Sequence, residues 1–275
     1  MEQSSQALPP QPTQNRRALG TPAQALTGKH AVVTGGARGI GAAITRALAA
    51  HGAKVTMLGR SPAPQSNLAD HQHLHYTQAD VCEPETLSRA FDSARANFGP
   101  IHILVNNAGQ GRSAPFPKTD FALWRSMMQV NLDGTFHCIH QVLPAMLDAR
   151  WGRIVNIAST AGLKGYAYVS AYCAAKHGVV GLTRSLALEV ATKGVTVNSV
   201  CPGYTETEML QQTIDGIVAK TGRTAEQARA ELSALNPQKR IIQPEEVANT
   251  VLWLCLPGSE AINGQSIAIA GGEVM

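Results

Sequence analysis

Tyr172 and Lys176 are four residues apart in the segment SAYCAAKHG, residues 170–178. On a helix, residues i and i+4 share one face with Cβ atoms about 5–6 Å apart, so the Lys176 ammonium would act on the phenol. A nearby positive charge lowers the pKa of a phenol from its usual value near 10. The spacing predicts that Tyr172 is a general acid in reduction and a general base in oxidation. The alternative is a buried tyrosine and a surface lysine that share a face by chance.

Two polar residues upstream can complete such a site. Ser159 ends the apolar run RIVNIAS, and an open α/β sheet binds ligands at the carboxyl ends of its strands. We expect its hydroxyl to hold a carbonyl oxygen and to stabilise charge that develops there. Asn131, in MQVNLDG, is a polar residue within an apolar helical run and needs buried partners. We expect it to support a proton-carrying water that leads to Lys176.

The segment TGGARGIG, residues 34–41, directly follows an apolar run and opens a helical pattern. Glycines in such a turn let the backbone approach a pyrophosphate that lies on the helix N-terminus. Glycines also serve ordinary tight packing, but this position between strand and helix favours dinucleotide binding. The candidate contacts to the dinucleotide are Gly35, Arg38, Gly39, Ile40 and Gly41.

The second apolar run ends in MLGRS, which places Gly59 and Arg60 where an NAD-preferring protein carries an acid for the ribose hydroxyls. An acid would repel a 2′-phosphate, whereas arginine offers charge-assisted donors to it. Arg38 would supply a second cation. Either arginine alone could be a solvated surface residue, but the missing acid and the two cations together favour NADP(H) over NAD(H).

Two further strand ends carry candidate cofactor contacts. Asp80 and Val81 follow the third apolar run, and we expect them to hold the adenine edge. The segment NNAG, residues 106–109, follows the fourth run and would place small residues and amides beside the cofactor. Its candidate contacts are Asn107, Ala108 and Gly109. Turn chemistry is the alternative for both asparagines.

From Gly28 onward, short apolar runs alternate with amphipathic stretches. The predicted strands are 30–34, 54–58, 73–77, 101–105, 153–158, 195–200 and 265–269, and the predicted helices are 39–51, 84–98, 119–148, 170–192 and 244–256. This alternation predicts an α/β fold, a parallel sheet with helices on both faces.

Residues 204–243 break the alternation with two polar helical patches, 206–220 and 224–235. Extra helices at the carboxyl edge of an open sheet lie where ligands bind, so we expect a substrate lid. A surface insertion without function is the alternative.

Residues 1–27 are rich in Gln, Pro, Ser and Ala, which predicts a disordered extension, with an organelle-targeting segment as the alternative. Residues 28–275 would form the single domain.

Composition narrows the class of partner. The net charge of +4 comes without a dense basic run, which favours a small-molecule partner over nucleic acid. No apolar run approaches the roughly 18 residues that span a bilayer, so no membrane association is expected. The five cysteines lack a CxxC pair and indicate reduced thiols in the cytoplasm. His71, His73 and His75 alternate, so on a strand they would project to one side and could bind a metal. We assign no metal because the catalytic set is complete without one.

The ordered motifs together resemble the short-chain dehydrogenase/reductase family. The matching segments are TGxxxGxG (34–41), Asp80, NNAG (106–109), Asn131, Ser159, YxxxK (172–176) and Pro202-Gly203. The resemblance implies one Rossmann-type domain with a doubly wound seven-stranded sheet. It also implies transfer of the 4-pro-S hydride of the nicotinamide to a carbonyl by an Asn-Ser-Tyr-Lys tetrad.

The same resemblance implies further contacts to the nicotinamide half of the cofactor. Tyr172 and Lys176 would lie at the nicotinamide ribose, Pro202 and Gly203 would border the nicotinamide, and Thr207 would contact its carboxamide. A homodimer or homotetramer, built through the helix at 170–192 and the preceding one, is also implied.

The chain is most similar to members that act on β-ketoacyl or 3-hydroxyacyl thioesters and related ketones. Arg112 and Lys164, in loops after the fourth and fifth strands, could meet an anionic substrate arm or could be exposed loop cations. The alternative function is a catalytically silent protein that senses NADP(H) on the same fold. The intact tetrad argues for an enzyme, since a sensor needs no acid-base tyrosine.

Overall fold

One seven-stranded parallel sheet forms the centre of the computed structural model, which describes residues 24–62 and 72–275. The strands are β1 (His30–Thr34), β2 (Lys54–Gly59), β3 (Leu74–Gln78), β4 (Ile103–Asn106), β5 (Gly152–Ile157), β6 (Val195–Pro202) and β7 (Ser266–Ile269). Their order is β3-β2-β1-β4-β5-β6-β7, and each neighbouring pair is parallel. The predicted Rossmann-type α/β fold is confirmed.

Eight α-helices accompany the sheet in the described residues. They are α1 (Gly39–Ala50), α2 (Pro84–Phe98), α3 (Phe121–Met128), α4 (Gly134–Asp148), α5 (Ser170–Val190), α6 (Glu208–Thr221), α7 (Ala225–Ala234) and α8 (Pro244–Cys255). One apolar cluster joins α2, α4 and α5 to the sheet, and a second joins α1 and α8 to it. Because both faces are covered, β1, β4, β5 and β6 are buried along their whole length.

The strand order changes direction between β1 and β4. Chain connections from β1 run outward to β3, and the chain then returns to place β4 on the other side of β1. A crevice opens at the carboxyl edge where connections diverge in this way, and open α/β sheets bind ligands there. The fold therefore brings the turns after β1, β4 and β5 to one edge.

The predicted helix at 119–148 is interrupted. Between α3 and α4, residues Gln129–Asp133 form one π-helical turn, in which the Gly134 N–H donates to the Gln129 carbonyl five residues back. Such turns are frequent at functional sites. A Cβ at Gly134 would lie 2.7 Å from Val81 Cγ2, so the glycine lets the start of α4 approach the end of β3.

The folded part of the chain begins before the predicted boundary at Gly28. Leu26 is 1% exposed within the apolar cluster under α1, and its N–H donates to the His51 carbonyl at 2.9 Å. The prediction for residues 1–23, including the targeting alternative, and the placement of His71 lie outside the described residues. Across residues 24–62 and 72–275, no helix is both long and apolar enough to cross a membrane.

The segment between β6 and α8 contains α6 and α7, in agreement with the two helical patches. It has an apolar cluster of its own, formed by Leu210, Ile214, Ala228, Leu232 and Ile241. A single parallel bridge, Thr205 to Ile242, closes its base. This segment therefore packs as a small unit at the carboxyl edge of the sheet.

Candidate active site

The turn after β1 has the geometry of a phosphate cradle. Gly35 and Gly39 adopt φ values of +64° and +51°, a left-handed conformation that favours glycine. A Cβ at Gly41 would lie 2.1 Å from the Gly35 carbonyl oxygen, so the start of α1 touches the turn directly. The backbone N–H groups at the start of α1 carry the partial positive charge that binds phosphate. These residues fit a dinucleotide cofactor.

Asn107 ties the end of β4 to this turn. Its Nδ2 donates to the carbonyls of Thr34 and Gly35, at 2.9 and 3.2 Å. The Thr34 hydroxyl accepts in return from the N–H groups of Asn107 and Ala108, both at 2.9 Å. The Asn107 side chain therefore holds the cradle in shape, a role that neither the predicted cofactor contact nor turn chemistry describes. Thr34 is a site residue that sequence reasoning missed.

Asn106 is buried beneath the site. Its Nδ2 donates to Asn156 Oδ1 at 2.9 Å, and Asn156 donates to the Thr183 hydroxyl at 2.9 Å. The amide chain joins β4, β5 and α5. It fixes the two strand ends that precede NNAG and Ser159 relative to the helix that carries Tyr172.

The adenosine end of the crevice contains the two predicted cations. Arg60 is exposed at the end of β2, and Gln78 Nε2 donates to its carbonyl at 2.7 Å. Arg38 is also exposed, but its guanidinium lies 2.8 Å from the Glu208 carboxylate at the start of α6. A Cβ at Gly59 would lie 2.6 Å from the Tyr76 hydroxyl oxygen, so Tyr76 occupies the space that an acid at position 59 would need.

Asp80 and Val81 lie at the end of β3 as predicted. Asp80 Oδ1 accepts from the Cys82 N–H at 2.9 Å, which fixes the carboxylate at the turn. The Val81 side chain is 6% exposed and packs in the core, so only its main chain faces the crevice. Ile40 is half-buried on the apolar cluster beneath α1.

The catalytic candidates converge at the ends of β4 and β5. Lys176 is 4% exposed, and its Nζ lies 5.7 Å from the centre of the Tyr172 ring. The ammonium donates to the Ile157 carbonyl at 2.8 Å, at the end of the strand that leads to Ser159. Ser159 Oγ accepts from the Ala161 N–H at 3.1 Å, which orients the hydroxyl at the start of the loop. Tyr172 is therefore flanked by a buried cation and an oriented hydroxyl.

Asn131 is fully buried in the π-helical turn. Its Nδ2 donates to the carbonyls of Met127 and Gln110, at 2.9 and 3.0 Å, and its Oδ1 accepts from the Gln110 N–H at 3.3 Å. The side chain thus pairs with the main chain of Gln110 in both directions. It fixes the loop after NNAG, a second function beside the predicted support of a water.

Burial dominates the ionisation of the two central groups. It raises the pKa of Tyr172 to about 12, although the Ser159 hydroxyl acts in the opposite direction. It lowers the pKa of Lys176 to about 8. The predicted lowering of the Tyr172 pKa depends on Lys176 together with the positive nicotinamide of an oxidised cofactor, and it stays a prediction for that complex; in the protein alone, desolvation of the phenolate dominates.

The residues predicted at the nicotinamide lie along the same edge. Pro202 ends β6, and the Gly203 N–H donates to the Ile269 carbonyl of β7 at 3.0 Å. Thr207 caps α6, its hydroxyl accepting from the Leu210 N–H. A Cβ at Gly39 would lie 3.1 Å from Thr207 Cγ2, so the segment 204–243 touches the cradle at this point.

Sequence reasoning missed three more residues of the site, Gly111, Met209 and Glu273. Gly111 faces the Tyr172 ring and the Met209 sulfur of α6, each 3.9 Å from where its Cβ would lie. Glu273, near the end of the chain, has a side chain 3% exposed and contacts Lys164 and the Tyr166 hydroxyl. No motif signals these residues, since their positions follow from the fold alone.

Comparison with known proteins decides the family. The family described as short chain dehydrogenase matches residues 29–238. The chain belongs to the short-chain dehydrogenase family. It is accordingly an oxidoreductase that uses a nicotinamide cofactor.

The proteins similar to this short-chain dehydrogenase include named dehydrogenases and named reductases. The chain is 38% identical to a D-beta-hydroxybutyrate dehydrogenase of Rhizobium meliloti, over 89% of this chain and 98% of the relative. It is 37% identical to the 3-oxoacyl-[acyl-carrier-protein] reductase FabG of Vibrio cholerae, over 91% and 99%. A crystal structure of a variant actinorhodin polyketide ketoreductase with NADPH superposes with a TM-score of 0.84 at 35% identity, covering 89% of this chain and 97% of the other.

Proposed function

We propose that the protein is an NADP(H)-dependent reductase that acts on a β-ketoacyl thioester or a related ketone, and on the 3-hydroxyacyl compound in reverse. The observation that carries the proposal is the position of Ser159, Tyr172 and Lys176 at one strand edge beside the phosphate cradle. When bound, the nicotinamide supplies a hydride to the carbonyl carbon or takes one from the alcohol carbon.

Tyr172 supplies the proton in reduction. Its phenol stays protonated at neutral pH because burial raises its pKa to about 12, which suits a donor to the carbonyl oxygen. The Ser159 hydroxyl donates to the same oxygen and stabilises charge that develops on it. In oxidation Tyr172 must accept a proton from the alcohol, so it must first be a phenolate. Positive charge near the ring, including that of protonated Lys176, favours the phenolate.

The cofactor would be held along the whole edge. The turn from Gly35 to Gly41 would bind the pyrophosphate, Asp80 and the Val81 main chain the adenine, and Lys176 the nicotinamide ribose. Ala108, Gly109, Pro202, Gly203 and Thr207 would border the remainder. Asn107 would act by holding the turn.

Three features support NADP(H) over NAD(H). Gly59 offers no carboxylate, and the Tyr76 hydroxyl fills the place where one would begin. Arg60 is exposed at the end of β2, where a 2′-phosphate would be recognised. The solved relative with NADPH supports the same choice. Arg38 is paired with Glu208, so its contribution requires exchange of that surface contact for the phosphate.

The segment 204–243 is proposed as the substrate lid. It has its own apolar cluster, it touches the cradle through Thr207, and it places Met209 opposite the Tyr172 ring.

A homodimer or homotetramer in the cytoplasm is also proposed. Phe136 on α4 and Leu188 on α5 are 51% and 81% exposed, as expected where a second copy would cover these helices. Light scattering of the purified protein would test the assembly.

A substrate panel tests the proposal directly. Purified protein should oxidise NADPH with acetoacetyl-CoA or with simple β-keto esters, and each substrate should be run with NADH as well. Turnover with NADPH only, or mainly, is the expected result. Cofactor binding without turnover of any ketone would instead support the alternative of a silent NADP(H)-sensing protein, which the family relatives do not favour.

A further inference from the structure

A buried carboxylate, that of Glu273, lies near the ends of β5 and β6. The Glu273 side chain is 3% exposed, its Oε1 lies 2.5 Å from the Tyr166 hydroxyl, and it lies 3.1 Å from Lys164 Nζ. The Tyr166 oxygen is also 2.8 Å from the Thr160 hydroxyl. Because a carboxylate only accepts, Tyr166 donates to Glu273 and accepts from Thr160.

This cluster lies beside the residues that would hold the reacting carbonyl. Thr160 directly follows Ser159. The chain of hydrogen bonds that runs from Thr160 through Tyr166 to Glu273 therefore begins at the loop that orients the serine. Glu273 Oε2 lies 3.3 Å from the Cβ position of Gly203, at the end of β6. The carboxylate therefore stands between the ends of β5 and β6, on the edge where Ser159 and Gly203 meet the crevice.

Lys164 is one of the two residues, with Arg112, that could meet an anionic substrate arm. The structure pairs it with the Glu273 carboxylate, so the two side chains together contribute no net charge. The Lys164 side chain is 38% exposed and remains within reach of a ligand, whereas Glu273 behind it is buried. A free carboxylate that approached Lys164 would compete with Glu273 for the same ammonium and would be repelled by it.

We propose that Glu273 is a specificity-determining residue: by neutralising Lys164 it favours substrates whose acyl arm is uncharged, such as thioesters and esters, over β-keto acids with a free carboxylate. The inference rests on the proposed function and narrows its substrate class. Glu273 acts through Lys164 and makes no contact with the reacting atoms, so its effect belongs in the choice between substrates.

A β-keto acid and its methyl ester, which differ in this charge and in one methyl group, provide the test. Acetoacetate and methyl acetoacetate carry the same ketone, and the ratio of their kcat/KM values isolates the effect of the carboxylate. Wild-type protein should prefer the ester. Glu273→Gln keeps an acceptor for Tyr166 but removes the charge, and should shift the ratio towards acetoacetate by about tenfold.

The matched variant Lys164→Gln should shift the ratio in the opposite direction, because it leaves the Glu273 charge unpaired. The double variant should return the ratio close to the wild-type value. A structural role for Glu273 would lower kcat/KM for both substrates together. An unchanged ratio in Glu273→Gln, or shifts of the same sign in both single variants, would overturn the proposal.

Binding measurements separate this proposal from the proposed function. Calorimetric titration of acetoacetate and of methyl acetoacetate into each variant saturated with NADP⁺ gives the same ratio without turnover. If the wild-type protein reduces neither ketone, the proposed function fails while the ratio of dissociation constants still tests Glu273. Failure of every variant to bind either compound would count against both.

Discussion

Asn131 Oδ1 and Lys176 Nζ both lie on the side of Gly109 where a Cβ would project. A Cβ at position 109 would be 2.8 Å from the asparagine oxygen and 3.6 Å from the lysine nitrogen. The loop after β4 therefore packs closely against two of the catalytic candidates, and only a residue without a side chain allows that approach. The glycine of NNAG thus helps to position the catalytic candidates, a role beside the proposed contact with the cofactor.

Gly109→Ala should lower kcat by at least tenfold, because the new methyl group displaces Asn131 and, with it, the main chain of Gln110. The matched control is Gly111→Ala, whose nearest neighbours, Met209 and Tyr172, would lie at an ordinary contact distance of 3.9 Å. Steady-state kinetics with NADPH would compare the two. Equal losses in both variants would show that the loop tolerates no methyl group and that the contact with Asn131 has no special role.

Tyr172→Phe should reduce turnover by a factor of at least 10³ while leaving NADPH affinity within about threefold, since only the proton donor is removed. Tyr168→Phe is the matched control, a tyrosine in the preceding loop that is 66% exposed. Single-turnover rates give the chemical step, and quenching of NADPH fluorescence gives the affinity. Retained turnover in the Tyr172→Phe variant would exclude the phenol from the mechanism.

Arg60→Ala should weaken binding of NADPH by at least tenfold and binding of NADH by no more than twofold, because the guanidinium would contact only the 2′-phosphate. Arg46→Ala serves as the control, an exposed arginine of α1 that pairs with Glu245. Both dissociation constants can be measured by fluorescence titration without a ketone. An equal loss for the two cofactors would refute the assignment of Arg60 to the phosphate.

The sheet could be read from the sequence because its central strands are buried on both faces. Such strands appear as uninterrupted apolar runs, and all seven were placed within about two residues of their observed bounds. The π-helical turn could not be read in this way. One extra residue in a turn hardly alters an amphipathic pattern, so residues 119–148 read as one helix.

The contacts that shape the site depend on residues far apart in the sequence. Asn107 meets the Gly35 turn and Glu273 meets Tyr166 across 72 and 107 positions, and no local spacing encodes either contact. The motif identified Asn107 as important but not its task. For Glu273 no motif existed, and the partner of Lys164 became visible only when the strand ends were brought together.

Lys176 should leave a signature in the pH dependence of stability. Burial lowers its pKa to about 8 in the folded protein, from 10.5 in the unfolded chain. The unfolded state therefore binds more protons between these values, and the free energy of unfolding rises with pH across that window. Below about pH 8 this contribution is lost.

The stability of the wild type relative to Lys176→Met should accordingly increase by about 2 kcal/mol between pH 8 and pH 10. Urea unfolding of both proteins at intervals across this range measures the difference, and groups common to both cancel. Lys193→Met, at an exposed lysine after α5, is the control. A difference for Lys176→Met that stays constant with pH would mean that the buried lysine keeps its ordinary pKa, in which case the charge near Tyr172 would be present throughout the neutral and mildly alkaline range.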